Sequence, residues 1–114
     1  MSYNGYEVTQ VLTETDIQRA VDVVLCAAPG SRVIVFGSHA RGNAEPDSDL
    51  DLLVIEPTVQ ARREEMVRLS DALRPLGIPA DVVVVSRRTF QEWSDTPGTL
   101  IYEAAREGLS FGEA

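Results

Sequence analysis

Residues 37–54 read GSHARGNAEPDSDLDLLV, and the alternation near the end of this stretch is the most telling feature of the chain. Asp49 and Asp51 are separated by one residue, so in a strand their carboxylates point to the same face. Their Cα atoms should then lie about 6.5 Å apart, at roughly 3.3 Å rise per residue. Side chains of that length can close the gap onto one magnesium ion or onto a metal pair. Leu50, Leu52 and Val54 point the other way and pack. An ordinary solvated strand face carrying two acids is the competing reading, and it is strained, because like charges that close repel without a cation. At the other end of the stretch, Gly37-Ser38 follows the β-branched run Arg32-Val33-Ile34-Val35-Phe36, a buried strand by composition. A glycine where that strand ends lets backbone N–H groups and the serine hydroxyl approach phosphate oxygens. Gly-Ser at a strand end also serves as a plain turn.

Working outward, residues 38–47 are small, polar and broken by Gly42 and Pro46, which predicts a turn with at most one short helical turn. Before them, Ile17, Ala20, Val21, Val24 and Leu25 recur at helical spacing, opened by a Thr15–Gln18 capping pair and closed by Pro29-Gly30. Cys26 lies in that apolar stretch and is expected to pack. After Asp51 the strand runs to Ile55. An amphipathic helix then covers 59–76, with Met66, Leu69, Leu73 and Leu76 facing inward until Pro75 and Gly77 break it. A third strand, Asp81-Val82-Val83-Val84-Val85, precedes two short helices over 89–94 and 99–107, with Gly108 as the C-cap. Trp93 and Tyr102 lie on those helices and are expected to pack.

The order is one α/β domain spanning 1–114, a small mixed sheet covered by helices. Strands two and three are joined through a helix and can be parallel; the first two can pair antiparallel across the turn. Asp81 opens the third strand and can meet Asp49 and Asp51 as a third carboxylate, or can be a polar strand-start residue. Three hard oxygen donors without His or Cys favour magnesium over zinc or copper. Beside an anion-binding turn, such a site suits phosphoryl or nucleotidyl transfer.

Bulk properties agree. At 114 residues, 44% hydrophobic and 25% charged, the chain has the composition of an ordinary globular protein. The net charge of -8 disfavours a free-standing nucleic-acid binder, whose affinity comes mostly from neutralising phosphates. It suits a metal site and a basic protein partner. One cysteine allows no internal disulfide, and no basic start with a long apolar run marks a signal or a membrane span, so a cytoplasmic location is expected.

With these residues in hand, the chain resembles the DNA polymerase β-like nucleotidyltransferase superfamily. Gly37-Ser38, ten intervening residues and Asp49-Leu50-Asp51 reproduce its signature, and Ala40-Arg41-Gly42 with Ser48 to Val54 is similar to its small prokaryotic branch. Those are the minimal nucleotidyltransferases, MNT, paired with HEPN-domain proteins as toxin–antitoxin systems. The resemblance runs through Tyr102-Glu103-Ala104-Ala105-Arg106-Glu107-Gly108; the following Leu109-Ser110-Phe111-Gly112 departs from the apolar-aromatic tail of many members. It implies the polymerase β-like fold, Asp49 and Asp51 as ligands of two metal ions, and Asp81 as third carboxylate and base. It also implies that Gly37 and Ser38 contact the nucleotide triphosphate, as would Arg41. A surface role for Arg41, holding Glu45 or Asp47, is equally consistent. His39 is expected to be a bystander.

The activity this implies is magnesium-dependent transfer of AMP from ATP to a protein hydroxyl, a tyrosine on a partner HEPN toxin, so that the chain acts as an antitoxin. Two other functions compete. The chain can neutralise a toxin by occlusion with a vestigial nucleotide site, or transfer a nucleotide to a small molecule. The second usually needs an additional helical lobe, for which few residues remain here. A homo- or hetero-oligomer stays open.

Overall fold

The structure is a computed structural model that describes residues 12–112. Helix α1 (Glu14–Ala27) starts from a reciprocal cap: Thr13 Oγ1 accepts the Asp16 N–H at 3.1 Å, and Asp16 Oδ2 accepts the Thr13 N–H at 3.0 Å. The box therefore lies two residues before the expected Thr15–Gln18 pair, because Thr15 is already inside the helix. Its buried stripe is Ala20, Val21 and Val24. Cys26 is exposed, contrary to expectation. Two residues beyond Val24 it sits about 200° further round a helix of roughly 3.6 residues per turn, off the apolar stripe.

Strand β1 (Arg32–Phe36) runs into a single helical turn, α2 (Ser38–Arg41), and the chain returns as β2 (Leu50–Glu56). Helix α3 (Arg62–Leu73) and a 3₁₀ turn (Arg74–Leu76) follow, so the long amphipathic helix ends where Pro75 enters. Then come β3 (Ala80–Ser86), α4 (Arg87–Trp93), α5 (Leu100–Glu107) and β4 (Leu109–Gly112). The sheet order is β3-β2-β1-β4, with β1 antiparallel to both neighbours and β2 parallel to β3. The mixed sheet and both expected pairings are present. None of the helices among the described residues is long and apolar enough to cross a membrane.

β4 is an addition to the expected elements. Gly108 is the residue after α5, as expected, but its backbone is extended rather than left-handed, which sends the chain straight into β4. A Cβ at Gly108 would overlap the Ile34 side chain and approach Val35 O to 2.9 Å. Close passage over β1, not a turn, is what demands glycine here. Arg32 Nε then donates to Ser110 Oγ at 2.8 Å, tying β4 to β1.

Strand alternation divides the core in two. Leu50, Leu52 and Val54 of β2 join Val33, Val35, Val82 and Val84 against α1 and α3. Leu53 and Ile55 join Ile34, Val85 and Ala104 on the other face, under α4 and α5. Asp51 and Asp81, odd-numbered like Leu53 and Val85, share that second face.

At the far end of β2, Glu56 meets α3. Its Oε2 is buried and has no hydrogen-bond donor. Burial pushes the Glu56 carboxyl up to about 7, and the neighbouring Glu65 adds to the shift. Glu65 is held down to about 2 by Arg68, whose Nε and Nη2 donate to its two oxygens at 2.9 and 2.6 Å. A proton on Glu56 satisfies the buried oxygen by being donated to Glu65. Because Glu56 holds that proton more tightly folded than unfolded, its contribution to stability is present at acid pH and lost as pH rises through about 7. Glu65 has the opposite sense, and loses its contribution only as pH falls toward about 2. The melting temperature should fall between about pH 5 and about pH 8, and Glu56→Gln should flatten that fall. Thermal melts across this range check it; an unchanged slope in the variant would refute the pairing.

Candidate active site

The turn from β1 into α2 is built around Gly37, at φ 79° and ψ −153°, a conformation open almost only to glycine. Gly37 O accepts the Ala40 and Arg41 N–H groups at 3.1 and 3.0 Å, which closes the single turn of α2. The first-turn N–H groups at Ser38 and His39 have no acceptor within the helix, as at any helix start. A Cβ on Gly37 would overlap Asp51 Oδ2 and come within 3.2 Å of Asp51 Cγ. The sequence suggests glycine for the sake of an approaching phosphate. The structure adds a second reason internal to the chain: this glycine leaves room for the Asp51 carboxylate.

The loop from α2 to β2 is tied at several points. His39 Nε2 lies 3.2 Å from Ser48 O, while Ser48 Oγ accepts the Glu45 N–H at 2.8 Å and Ser48 N donates to Glu45 O at 2.9 Å. Leu50 N donates to Pro79 O at 2.9 Å, locking the start of β2 to the approach of β3. Asp49 stands just before this strand rather than in it, and is exposed. His39 thus has a structural contact, bracing the loop that leads to Asp49, and nothing in this contact makes it a catalyst. The sequence offers no signal for this, because the contact depends on how the loop folds back.

Asp51 sits directly opposite Asp81 in the parallel β2–β3 register, and directly opposite Phe36 across the antiparallel pair. Partial burial pushes the Asp51 carboxyl above the usual aspartate range, the Asp81 and Asp49 charges add to the rise, and His39 and Arg41 oppose it. The structure therefore brings Gly37, Asp49, Asp51 and Asp81 to one place. Ser38 opens α2 beside them. Arg41 is close enough to act on Asp51 but pairs with Glu107 of α5 at 3.7 Å, not with Glu45 or Asp47. Trp93 departs from expectation: it is 46% exposed. Tyr102 is half-buried under the Arg106 guanidinium, 5.4 Å from its ring centre.

Among the described residues, no three His, Cys, Asp or Glu side chains are gathered tightly enough to enclose a metal ion as they stand. The donor set still fits a hard divalent cation: carboxylate oxygens alone, with the inner one disfavoured as an anion by its burial first and by its neighbours' charge second. Asp49 and Asp81 are exposed, so their side chains can turn toward Asp51 without displacing packed atoms.

A glycine-led turn facing carboxylates on paired strands is suited to the transfer of a phosphate-bearing group, and the relatives of this chain are of that class. The family model described as nucleotidyltransferase domain matches residues 17–107, and the chain belongs to that family. Among solved structures, one described as a candidate minimal nucleotidyltransferase is 36% identical, with 84% of this chain and 92% of that chain covered at a TM-score of 0.55. A candidate nucleotidyltransferase from Sulfolobus solfataricus is 20% identical, covering 87% of this chain and 78% of that one, with a TM-score of 0.60. The third is the MNT antitoxin complex with a tri-AMPylated HEPN toxin from Shewanella oneidensis. It is similar at 16% identity, 90% and 74% coverage and a TM-score of 0.51. No curated protein matches the chain.

Two substitutions separate the roles of the turn. Gly37→Ala should lower stability by about 1–3 kcal/mol through backbone strain and disturb Asp51. Ser38→Ala should leave the melting temperature unchanged and weaken ATP binding. Melting curves with calorimetric ATP titrations check both, and a Gly37→Ala protein as stable as the parent would contradict the close approach. In metal-free buffer at neutral pH, Asp51→Asn should raise the melting temperature, because it removes a disfavoured charge facing Asp81 and Asp49.

Proposed function

We propose that the chain transfers AMP from ATP to a protein hydroxyl, a tyrosine of a HEPN-type partner, and so acts as an antitoxin. The observation that carries this reading is the register that sets Asp51 against Asp81, with Gly37 and Ser38 immediately beside them. Membership of the nucleotidyltransferase family supports the reaction class. Support for the partner comes from neighbouring folds: the MNT complex with a tri-AMPylated HEPN toxin, and a toxin–antitoxin complex with AMP-PNP.

In this reading the triphosphate lies along the Gly37-Ser38 turn, where backbone N–H groups and the serine hydroxyl take its oxygens. Arg41 adds a cation near the same phosphates. Asp49, Asp51 and Asp81 would hold magnesium, which when bound neutralises charge on the phosphates and the leaving group. The acceptor hydroxyl gives its proton to Asp81, its oxygen bonds to the α-phosphorus, and the bond from that phosphorus to the bridging oxygen breaks. Pyrophosphate leaves with the electron pair, and the acceptor carries AMP. Atoms and charge balance with no further reactant.

Neutralisation by occlusion is the second reading. It is favoured by the net charge of -8, which suits docking on a basic partner surface. One experiment separates the two. The protein is co-expressed with a HEPN-type partner, and the partner is weighed by mass spectrometry. An added mass of one or more AMP units, lost with Asp49→Asn, is expected. An unmodified but neutralised partner would establish occlusion instead. With label on the α-phosphate of ATP, Asp81→Asn should lower the transfer rate while ATP affinity stays largely intact, as loss of a base requires. A loss confined to ATP binding would make Asp81 a metal ligand only.

A further inference from the structure

Beside the carboxylate row, on the same face of the sheet, the structure carries an open and mainly apolar groove of about 480 Å³. Its floor is Val83 and Val85 of β3, and its walls are Trp93 of α4 and Leu100 and Ile101 of α5, with Arg62 at its margin. Val83 lies two residues beyond Asp81 on one strand, roughly 6.5 Å further along and facing the same way. Trp93 and Leu100 are 46% and 44% exposed, so two large apolar side chains face solvent together at this spot. The Arg62 Nε donates to Val84 O at 2.7 Å, which covers one outward carbonyl of the β3 edge and holds the guanidinium at the groove.

We propose that this groove seats the acceptor: a protein segment that presents its hydroxyl-bearing residue to Asp81 and buries adjoining apolar side chains against Trp93 and Leu100. The inference rests on the transferase reading above and adds where the acceptor lies. Its argument is the order of the sheet. The phosphate turn leaves β1, the central Asp51 is on β2, and Asp81 and the groove belong to β3. Attacking and leaving oxygens stand roughly in line across the transferred phosphorus. With pyrophosphate leaving toward the Gly37-Ser38 turn on the β1 side, the nucleophile arrives from the β3 side. That side carries two open surfaces, a more polar one that Asp81 itself lines with Arg63, Ser70 and Arg74 and this apolar one, and only the apolar one can bury the large apolar neighbours of an acceptor residue. Its lining suits leucine-like or aromatic side chains and offers little to a charged segment.

Trp93 is the one tryptophan of the chain, so its emission reads the groove directly. The probes are two capped peptides, one with tyrosine between leucines and one with tyrosine between glycines, and ATP with Mg²⁺. The leucine-flanked peptide should shift Trp93 emission to the blue and saturate. The glycine-flanked peptide should bind about tenfold more weakly, which corresponds to burying one leucine-sized side chain less. ATP with Mg²⁺ should leave the emission in place. Leu100→Arg should cost the leucine-flanked peptide about tenfold in affinity and in KM while the values for ATP stay unchanged. Leu100→Ala, gentler on the fold, should give a smaller loss in the same direction. Emission that shifts with ATP alone would assign the groove to the nucleobase and overturn the proposal. Emission unmoved by the leucine-flanked peptide, or undiminished affinity in a Leu100→Arg protein with the parent melting curve, would overturn it too. A peptide that binds at Trp93 but gains no AMP, when the co-expressed partner does gain it, would leave the transferase reading standing and overturn the groove as the acceptor seat.

Discussion

Asp51 and Asp81 face one another across a parallel strand pair, and the rest of the structure is arranged around keeping them there. Like charges on directly opposed strand positions repel, and the Asp81 charge adds to the raised proton affinity of Asp51. A slip of one residue in β2 would relieve that repulsion. The same slip would turn Leu50, Leu52 and Val54 toward the wrong helices, since strand side chains alternate. These three are fully buried, as is Leu53 on the other face. Each is worth on the order of 1.5–3 kcal/mol in burial, so the core outweighs the repulsion and fixes the register. The unfavourable contact is thus maintained by hydrophobic packing that has no other stake in the site.

Gly37 enforces the arrangement from the β1 side. With no Cβ it admits the Asp51 carboxylate, and its positive φ turns the chain at once into α2. One residue therefore meets two demands, a conformational one and a steric one. Only the first is visible in a sequence. The second is a contact between positions 37 and 51, and it exists only once β1 and β2 have paired.

The same distinction explains what else the sequence did and did not disclose. Features that repeat with a local period were legible: the β1 and β3 runs, the alternation that aims Asp51 away from Leu50 and Leu52, and the helix joining β2 to β3. That helix allowed the parallel pairing, and with it the meeting of Asp81 with Asp51. Cys26 was legible in principle, because its angle from Val24 already placed it off the buried stripe. β4 was not, since its few residues lack a decisive alternation and are strand only by virtue of pairing with Arg32 to Val35. Trp93 was not, because α4 is too short to show an apolar face and leaves the ring half in solvent. His39 and its bond to Ser48 O depend on a loop returning on itself.

β2 carries acids at both ends, and their different surroundings show how one kind of repulsion can be resolved in two ways. Glu56 points toward α3, where Glu65 already has Arg68 as its cation. The remaining conflict there is relieved by a proton, with Glu56 pushed up to about 7. Asp51 has no such committed cation. Arg41 acts on it but pairs with Glu107, His39 is directed to Ser48 O, and the nearest strand partner is another carboxylate. Under the proposed function, a triphosphate brings still more negative charge to this end of the strand. Residues 37–51 supply one arginine and one histidine against it, too little to offset three aspartates and the phosphates together. Under that proposal, divalent cations arriving with the nucleotide or before it would supply the missing positive charge. Burial first, and the Asp81 and Asp49 charges after it, already raise the proton affinity of Asp51, so the position favours a positive partner before any phosphate arrives.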